Sequence, residues 1–215
     1  MPDQREVWEN IADEWNKYRK HPVKDSINFL ENKKGLVLDL ACGSGRNFTK
    51  IDGTIIGVDF SQHMLAFARK KVKKEKLDLP LIEGDALDLP FKDNTFDSIL
   101  FANGFHTIKW NRAKKALSEM LRVSKDGASV FISVWNRDQP RFTHASRESY
   151  IPWKFKGRIY KRYYYLYSRD ELTSLLGKNG FSSIRVYGGS EMAFKKFPKN
   201  IIAIARVAKS GQRRK

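Results

Sequence analysis

The stretch Leu36 to Arg46, Leu-Val-Leu-Asp-Leu-Ala-Cys-Gly-Ser-Gly-Arg, constrains the fold more than any other part of the chain. An unbroken apolar run of strand length reads as a strand buried on both faces, as in a parallel sheet. It gives way at Asp39 to a turn carrying Cys42, Gly43, Ser44 and Gly45. Glycine accepts positive φ and has no Cβ, so such a backbone can press against a nucleotide-like ligand. The stretch is a cofactor cradle or an ordinary tight turn.

The rest of the chain alternates helical and extended patterns around this run. Val7 to Tyr18 predicts an amphipathic helix with Val7, Ile11 and Trp15 on one face, ending near His21-Pro22. A second short helix carries Ile27, Phe29 and Leu30, so residues 1–34 form a helical lid or a plain packing pair. After the glycine turn a short helix is expected to begin near Arg46, followed by a second buried strand, Thr54 to Val58, that ends in Asp59. An acid about 20 residues past the first strand is where adenosine-binding sheets hold the ribose hydroxyls; the other reading of Asp59 is a helix cap beside Ser61. Ser61 to Lys76 and Asn111 to Val123 read as helices, and Leu79 to Gly84, Ser98 to Ala102 and Ala128 to Trp135 as strands. Ser168 and Glu171 have capping-box spacing at the start of a last helix. Phe181 to Tyr187 and Asn200 to Val207 form a hairpin around Gly188-Gly189, and a basic tail occupies 209–215.

Charge adds a second constraint. With 41 Lys and Arg against 24 Asp and Glu, the net charge of +17 attracts polyanions, RNA or DNA, unless it reflects the general lysine enrichment of a thermophile. Between Ile151 and Arg169 the basic residues Lys154, Lys156, Arg158, Lys161 and Arg162 interleave with Trp153, Tyr160, Tyr163 and Tyr164 with no acid. Cations suit phosphates and rings suit bases, although tyrosines also favour strands. Trp153, Arg158, Lys161, Tyr163 and Tyr164 are accordingly the candidate RNA contacts. No run approaches the roughly 18 apolar residues of a membrane span, no Cys/His set has metal spacing, and the lone Cys42 fits a reducing, cytoplasmic setting.

The string Asp85-Ala-x-x-Leu-Pro-Phe-x-Asp-x-x-Phe-Asp97, downstream of Asp39-x-x-Cys-Gly-x-Gly45, resembles the class I S-adenosylmethionine-dependent methyltransferases. That resemblance implies a Rossmann-like α/β fold: a mostly parallel seven-stranded sheet with an antiparallel last strand, and helices on both faces. It implies S-adenosyl-L-methionine as cofactor. Asp39, Cys42, Gly43 and Gly45 would lie round its methionine part, with Asp59 on the ribose, Phe60, Asp85 and Ala86 at the adenine, and Asn103 near the sulfonium. Phe48 stands where a dinucleotide fingerprint would have its third glycine.

Within those enzymes the chain is similar to the tRNA wobble-uridine methyltransferases of eukaryotes and archaea that esterify a 5-carboxymethyl group. Trp8-Glu-Asn-Ile-Ala12, Arg19, His106, Ile151-Pro-Trp153 and Arg162-Tyr-Tyr-Tyr-Leu-Tyr167 carry the similarity; Thr107 and Tyr165 stand where that family usually has histidine. The resemblance implies Arg19 and Arg162 gripping the acceptor carboxylate, His106 orienting it, residues 136–167 capping the substrate within one domain spanning 1–208, and tRNA as partner. It also implies a small zinc-binding activator protein paired along the sheet edge, near Leu77, Leu79, Leu81 and Ile82. Two rival readings stand: a small-molecule methyltransferase of the quinone or sterol type, and a non-catalytic RNA-binding scaffold. Neither quinone nor sterol explains the charge, and intact Asp59 and Asp85 argue against a scaffold.

Overall fold

Alternate residues of the central strands point to opposite sides of one sheet, and helices cover both sides. The computed structural model describes residues 3–190, 192–193 and 197–209. The chain runs through α1 (Gln4–Tyr18), α2 (Lys24–Leu30), β1 (Lys34–Leu40), β2 (Asp52–Asp59), α3 (Gln62–Glu75), β3 (Leu81–Glu83), β4 (Phe96–Ala102), α4 (Trp110–Val123) and β5 (Ser124–Trp135). It continues through β6 (Glu148–Phe155), β7 (Arg158–Tyr165), α5 (Arg169–Gly177), β8 (Phe181–Gly188), β9 (Met192–Ala193), β10 (Phe197–Pro198) and β11 (Asn200–Val207). The main sheet has the order β3-β2-β1-β4-β5-β11-β8. β3, β2, β1, β4 and β5 are parallel, and β11, the last strand, is antiparallel to both its neighbours. This is the Rossmann-like methyltransferase architecture expected from the sequence.

The strand period of two sorts the core. Leu38, Leu40, Ile99, Phe101, Val130 and Ile132 pack against Ala113, Leu117 and Met120 of α4 and Leu172 and Leu176 of α5. Val37, Leu100, Phe131 and Ile202 meet Leu30 of α2 and Leu65 and Ala68 of α3 on the other face. Caps hold the helices where the sequence placed them. Ser61 Oγ accepts from the Met64 N–H at 3.1 Å, and Ser168 with Glu171 closes a reciprocal capping box. The 85–97 string is anchored from α4: the Leu89 N–H donates to Glu119, while Arg122 donates to the Leu89 and Phe91 carbonyls. Hydrogen bonding from Arg122 holds the Glu119 carboxyl below the usual range. Asp97 accepts from the Leu36 N–H at 2.9 Å, tying the end of the string to β1.

One expectation changes. No helix follows the glycine turn; the chain passes from β1 to β2 through turns and irregular backbone. Asn47 and Phe48 are both buried, Asn47 accepting from the Val23 N–H and the Phe48 ring lying where Cβ atoms on Gly45 or Gly57 would fall. β8 and β11 pair antiparallel as expected, with the Gly189 N–H donating to the Asn200 carbonyl, and the connection between them contains β9 paired with β10. β6 and β7 form a separate antiparallel hairpin within the 136–167 stretch. The predicted tail lies outside the described residues from 210 onward. Among the described residues no helix is long and apolar enough to cross a membrane.

Candidate functional site

The C-terminal ends of β1, β2 and β4 open into two adjoining clefts, as expected where parallel strands end in an open α/β sheet. The first is lined by Cys42, Gly43, Asp59, Phe60 and Asn103 from the sheet, with Trp8 and Trp15 of α1 and Arg19 just past its end. The second shares Asp59 and Phe60 and adds Asp85 and Ala86 with Gln4 and Arg5 of α1. Of the nine residues predicted to hold a cofactor, these seven line a cleft. Asp39 and Gly45 do not: Gly45 serves the turn itself, at φ +76° with the Phe48 ring where its Cβ would be. Gly43, at φ +57°, would point a Cβ into open space, so its backbone is bare toward the cleft.

Asp59 binds the turn to the second strand. One oxygen accepts from the Gly43 N–H at 2.8 Å and the other from the Ser61 N–H at 2.9 Å. Burial pushes its carboxyl up to about 6 against those two hydrogen bonds. Asp39 is buried with no hydrogen-bond partner on either oxygen among the described residues; burial raises it to about 8, with the Arg46 charge opposing. In the second cleft, Asp85 Oδ1 accepts from the Leu87 N–H.

Beyond Asn103, a third, smaller recess is bounded by Trp15, Arg19, His106, Trp135 and Tyr164. Asn103 sits at φ +58°, and its N–H donates to both oxygens of Ser133. Gly104 follows; a Cβ there would lie 2.4 Å from the Phe101 ring and 2.7 Å from Ala41 Cβ. The turn throws His106 into the recess, stacked on Tyr164 at 5.0 Å and on Trp135 at 5.7 Å. Burial lowers the His106 pKa to about 3, so the ring is neutral at pH 7. Its Nδ1 has no partner among the described residues.

Arg162 is only 4% exposed. Its guanidinium packs over Trp15, Trp153 and Tyr164 at 5.4, 4.8 and 5.3 Å and donates to Tyr164 Oη at 2.9 Å. Nε is buried with no hydrogen-bond partner among the described residues. Arg19 lies 5.0 Å over the Trp15 ring. The predicted trio of Arg19, His106 and Arg162 therefore converges, although 143 residues separate its ends. Arg141, which the sequence reading passed over, joins it: its guanidinium lies 4.6 Å over Trp135 and 4.4 Å over Phe142. Arg19, Arg141 and Arg162 form no ion pair with a carboxylate among the described residues.

The expected RNA contacts divide. Arg158 and Lys161 are exposed on the β6–β7 hairpin with Lys154 and Lys156, and Trp153 is half-buried. Tyr163 and Tyr164 are each 1% exposed, which corrects the expectation that their rings stack on bases at the surface. Tyr163 Oη instead accepts from the Trp110 N–H, and Tyr164 forms a wall of the recess. Trp8, Trp15 and Arg5 also line the clefts; Trp8 and Trp15, seven apart on one helix face, are the signal from which this role of α1 could have been read.

Residues 37–127 match the family model described as a methyltransferase domain. A putative methyltransferase of Encephalitozoon cuniculi is 33% identical over 164 residues, covering 71% of this chain and 74% of that protein. A demethylmenaquinone methyltransferase of Anoxybacillus flavithermus is 28% identical, covering 84% and 87%. Among solved structures, the complex of the Haloferax volcanii Trm112 methyltransferase activator with a putative methyltransferase aligns with TM-score 0.72 at 18% identity, covering 98% of this chain and all of that one. A DhpI-SAM-HEP complex aligns with TM-score 0.72 at 19% identity, covering 94% and 95%.

Proposed function

We propose that this chain, which belongs to the class I S-adenosylmethionine-dependent methyltransferases, esterifies a carboxylate on tRNA, namely the 5-carboxymethyl group of a wobble uridine. The observation that carries this reading is the presence of Arg19 and Arg162 in and beside the recess next to Asn103, without carboxylate partners among the described residues. A buried cation with a half-buried one beside it calls for an anionic ligand.

The residues present fit the cofactor. Asp59 keeps acceptor capacity for ribose hydroxyls, Phe60 offers a flat wall, and Asp85 and Ala86 edge the adenine side. Cys42, the bare backbone of Gly43 and Asn103 face the methionine side. When bound, S-adenosyl-L-methionine supplies a methyl group made electrophilic by its sulfonium. A carboxylate acceptor, with reference pKa near ~4, is already ionised at pH 7. No base is needed, which suits a neutral His106. Arg162 holds one carboxylate oxygen and leaves the other free, His106 orients the acceptor through its nitrogens, and the rings of Trp15, Trp135 and Tyr164 exclude water. Positioning of this kind is where most of the rate of such a transfer originates.

In the same reading α1 is the lid over the cofactor, the β6–β7 hairpin caps the substrate, and its exposed lysines and Arg158 meet RNA phosphates. The open side of β3, a three-residue edge strand carrying half-buried Leu81 and Ile82 and preceded by half-buried Leu79, is where a small activator protein would add a strand. The structural similarity to the activator-bound archaeal enzyme supports that assignment. A second reading, a quinone acceptor, is favoured by the demethylmenaquinone methyltransferase relatives and the aromatic walls, but it leaves the arginines without a counter-charge.

The test is transfer of labelled methyl from the cofactor to bulk tRNA, to tRNA from cells lacking the carboxymethyl modification, and to a lipid extract. Alkali-labile label is expected in the first alone. Equal labelling of both tRNA pools, or label in the lipid, would overturn the assignment.

A further inference from the structure

Arg141 is not needed for a carboxylate already held by Arg162 and Arg19. A carboxymethyl group brings one negative charge, and one of its oxygens must stay free to attack. Three guanidiniums without acid partners exceed that demand. They are also graded in depth: Arg162 is buried, Arg19 half-buried, and Arg141 exposed beside Trp135, which lines the recess. Arg141 Cζ lies 4.6 Å over the Trp135 ring, a wall of the recess, and 4.4 Å over the Phe142 ring. Its side chain makes no hydrogen bond or ion pair among the described residues, so the N–H donors of its planar fork are left to a ligand. A planar fork held at a rim matches a phosphate, which accepts two parallel N–H bonds.

Resting on the carboxylate reading above, we infer that Arg141 forms a phosphate subsite, so that the acceptor is a nucleotide recognised by a ribose-phosphate group at the mouth of the recess and a carboxylate inside it. The deep cation then sets which atom is methylated, and the rim cation selects an acceptor belonging to a nucleic-acid chain over a free nucleoside or a neutral ring compound.

The experiment compares the full chain and its R141Q and R141K variants on 5-carboxymethyluridine and on its 3′,5′-bisphosphate. For the natural sequence kcat/KM should favour the bisphosphate by about ten-fold, the scale of one charge-assisted contact. In R141Q that ratio should fall about five-fold or more, and R141K should recover part of it. A ratio near one in the natural protein, or a ratio unchanged in R141Q, would overturn the inference. Binding of uridine 3′,5′-bisphosphate, which lacks the carboxymethyl group, gives a second readout independent of methyl transfer. Its affinity should drop about five-fold in R141Q, and equal affinity would overturn the subsite. If neither acceptor is methylated while this binding difference is seen, the carboxylate reading fails and the phosphate subsite stands.

Discussion

Asp39 is a carboxylate placed where water cannot reach it. Its pKa of about 8 has a consequence for the cofactor-free protein. Between the unfolded reference near ~3.9 and 8, the folded state keeps a proton the unfolded chain has lost, so stability falls as pH rises through that window. His106 acts in the opposite sense, because its folded pKa near 3 lies below the unfolded value; its contribution is complete by about pH 6.5. From pH 6.5 to 8 the decline therefore belongs mainly to Asp39. Denaturant unfolding across that interval should show stability falling in the natural protein and a much flatter profile in Asp39→Asn; parallel profiles would show that Asp39 is not the group responsible. The same residue marks a limit of sequence reading. Its place at the end of β1 was legible from the apolar run, but its seclusion beneath the turn depends on how Arg46 to Phe48 fold over it, and no local pattern encodes that.

At the level of elements, the capping box of α5 and the caps of α3 were legible because each needs only two or three neighbouring residues. The burial of Tyr163 and Tyr164 was not. A strand with one wet face alternates, yet β7 is buried on both faces at its end, with α1 on one side and the 105–107 turn on the other. Both covers come from distant sequence. α1 itself is held by Glu9, whose carboxylate accepts from the Gln62 and His63 N–H groups at 2.7 and 3.1 Å. Those are the unsatisfied donors at the N-terminus of α3, where negative charge is favoured. Glu9→Ala should release this latch and speed dissociation of S-adenosylhomocysteine about five-fold or more, a loss of roughly 1 kcal/mol. Stopped-flow displacement checks this, and an unchanged off-rate would mean that α1 does not gate the cofactor.

For the whole molecule, the mostly parallel seven-stranded sheet with an antiparallel last strand followed from the resemblance that two motifs carried, and parallel strands of an α/β unit leave few topologies open. The pairing of β9 with β10 inside the return from β8 to β11 did not follow, since two glycines look the same whether they close a turn or precede an excursion. The charge of +17 acts at this scale. If the four exposed cations Lys154, Lys156, Arg158 and Lys161 neutralise phosphates of a single-stranded loop, log K for tRNA should fall against log salt with a slope near about −3. Replacing all four by glutamine should flatten the slope to about −0.7, the share of the one phosphate assigned to Arg141, without changing cofactor affinity, and an unchanged slope would place RNA elsewhere on the surface. One further property follows from the aromatic walls. Of the chain's five tryptophans, Trp8, Trp15, Trp135 and Trp153 stand at the clefts or on the arginines beside them, and Trp110 alone lies apart, stacked on Tyr165. The ultraviolet emission of the unlabelled protein is thus weighted toward its own ligand sites, a built-in optical gauge of occupancy.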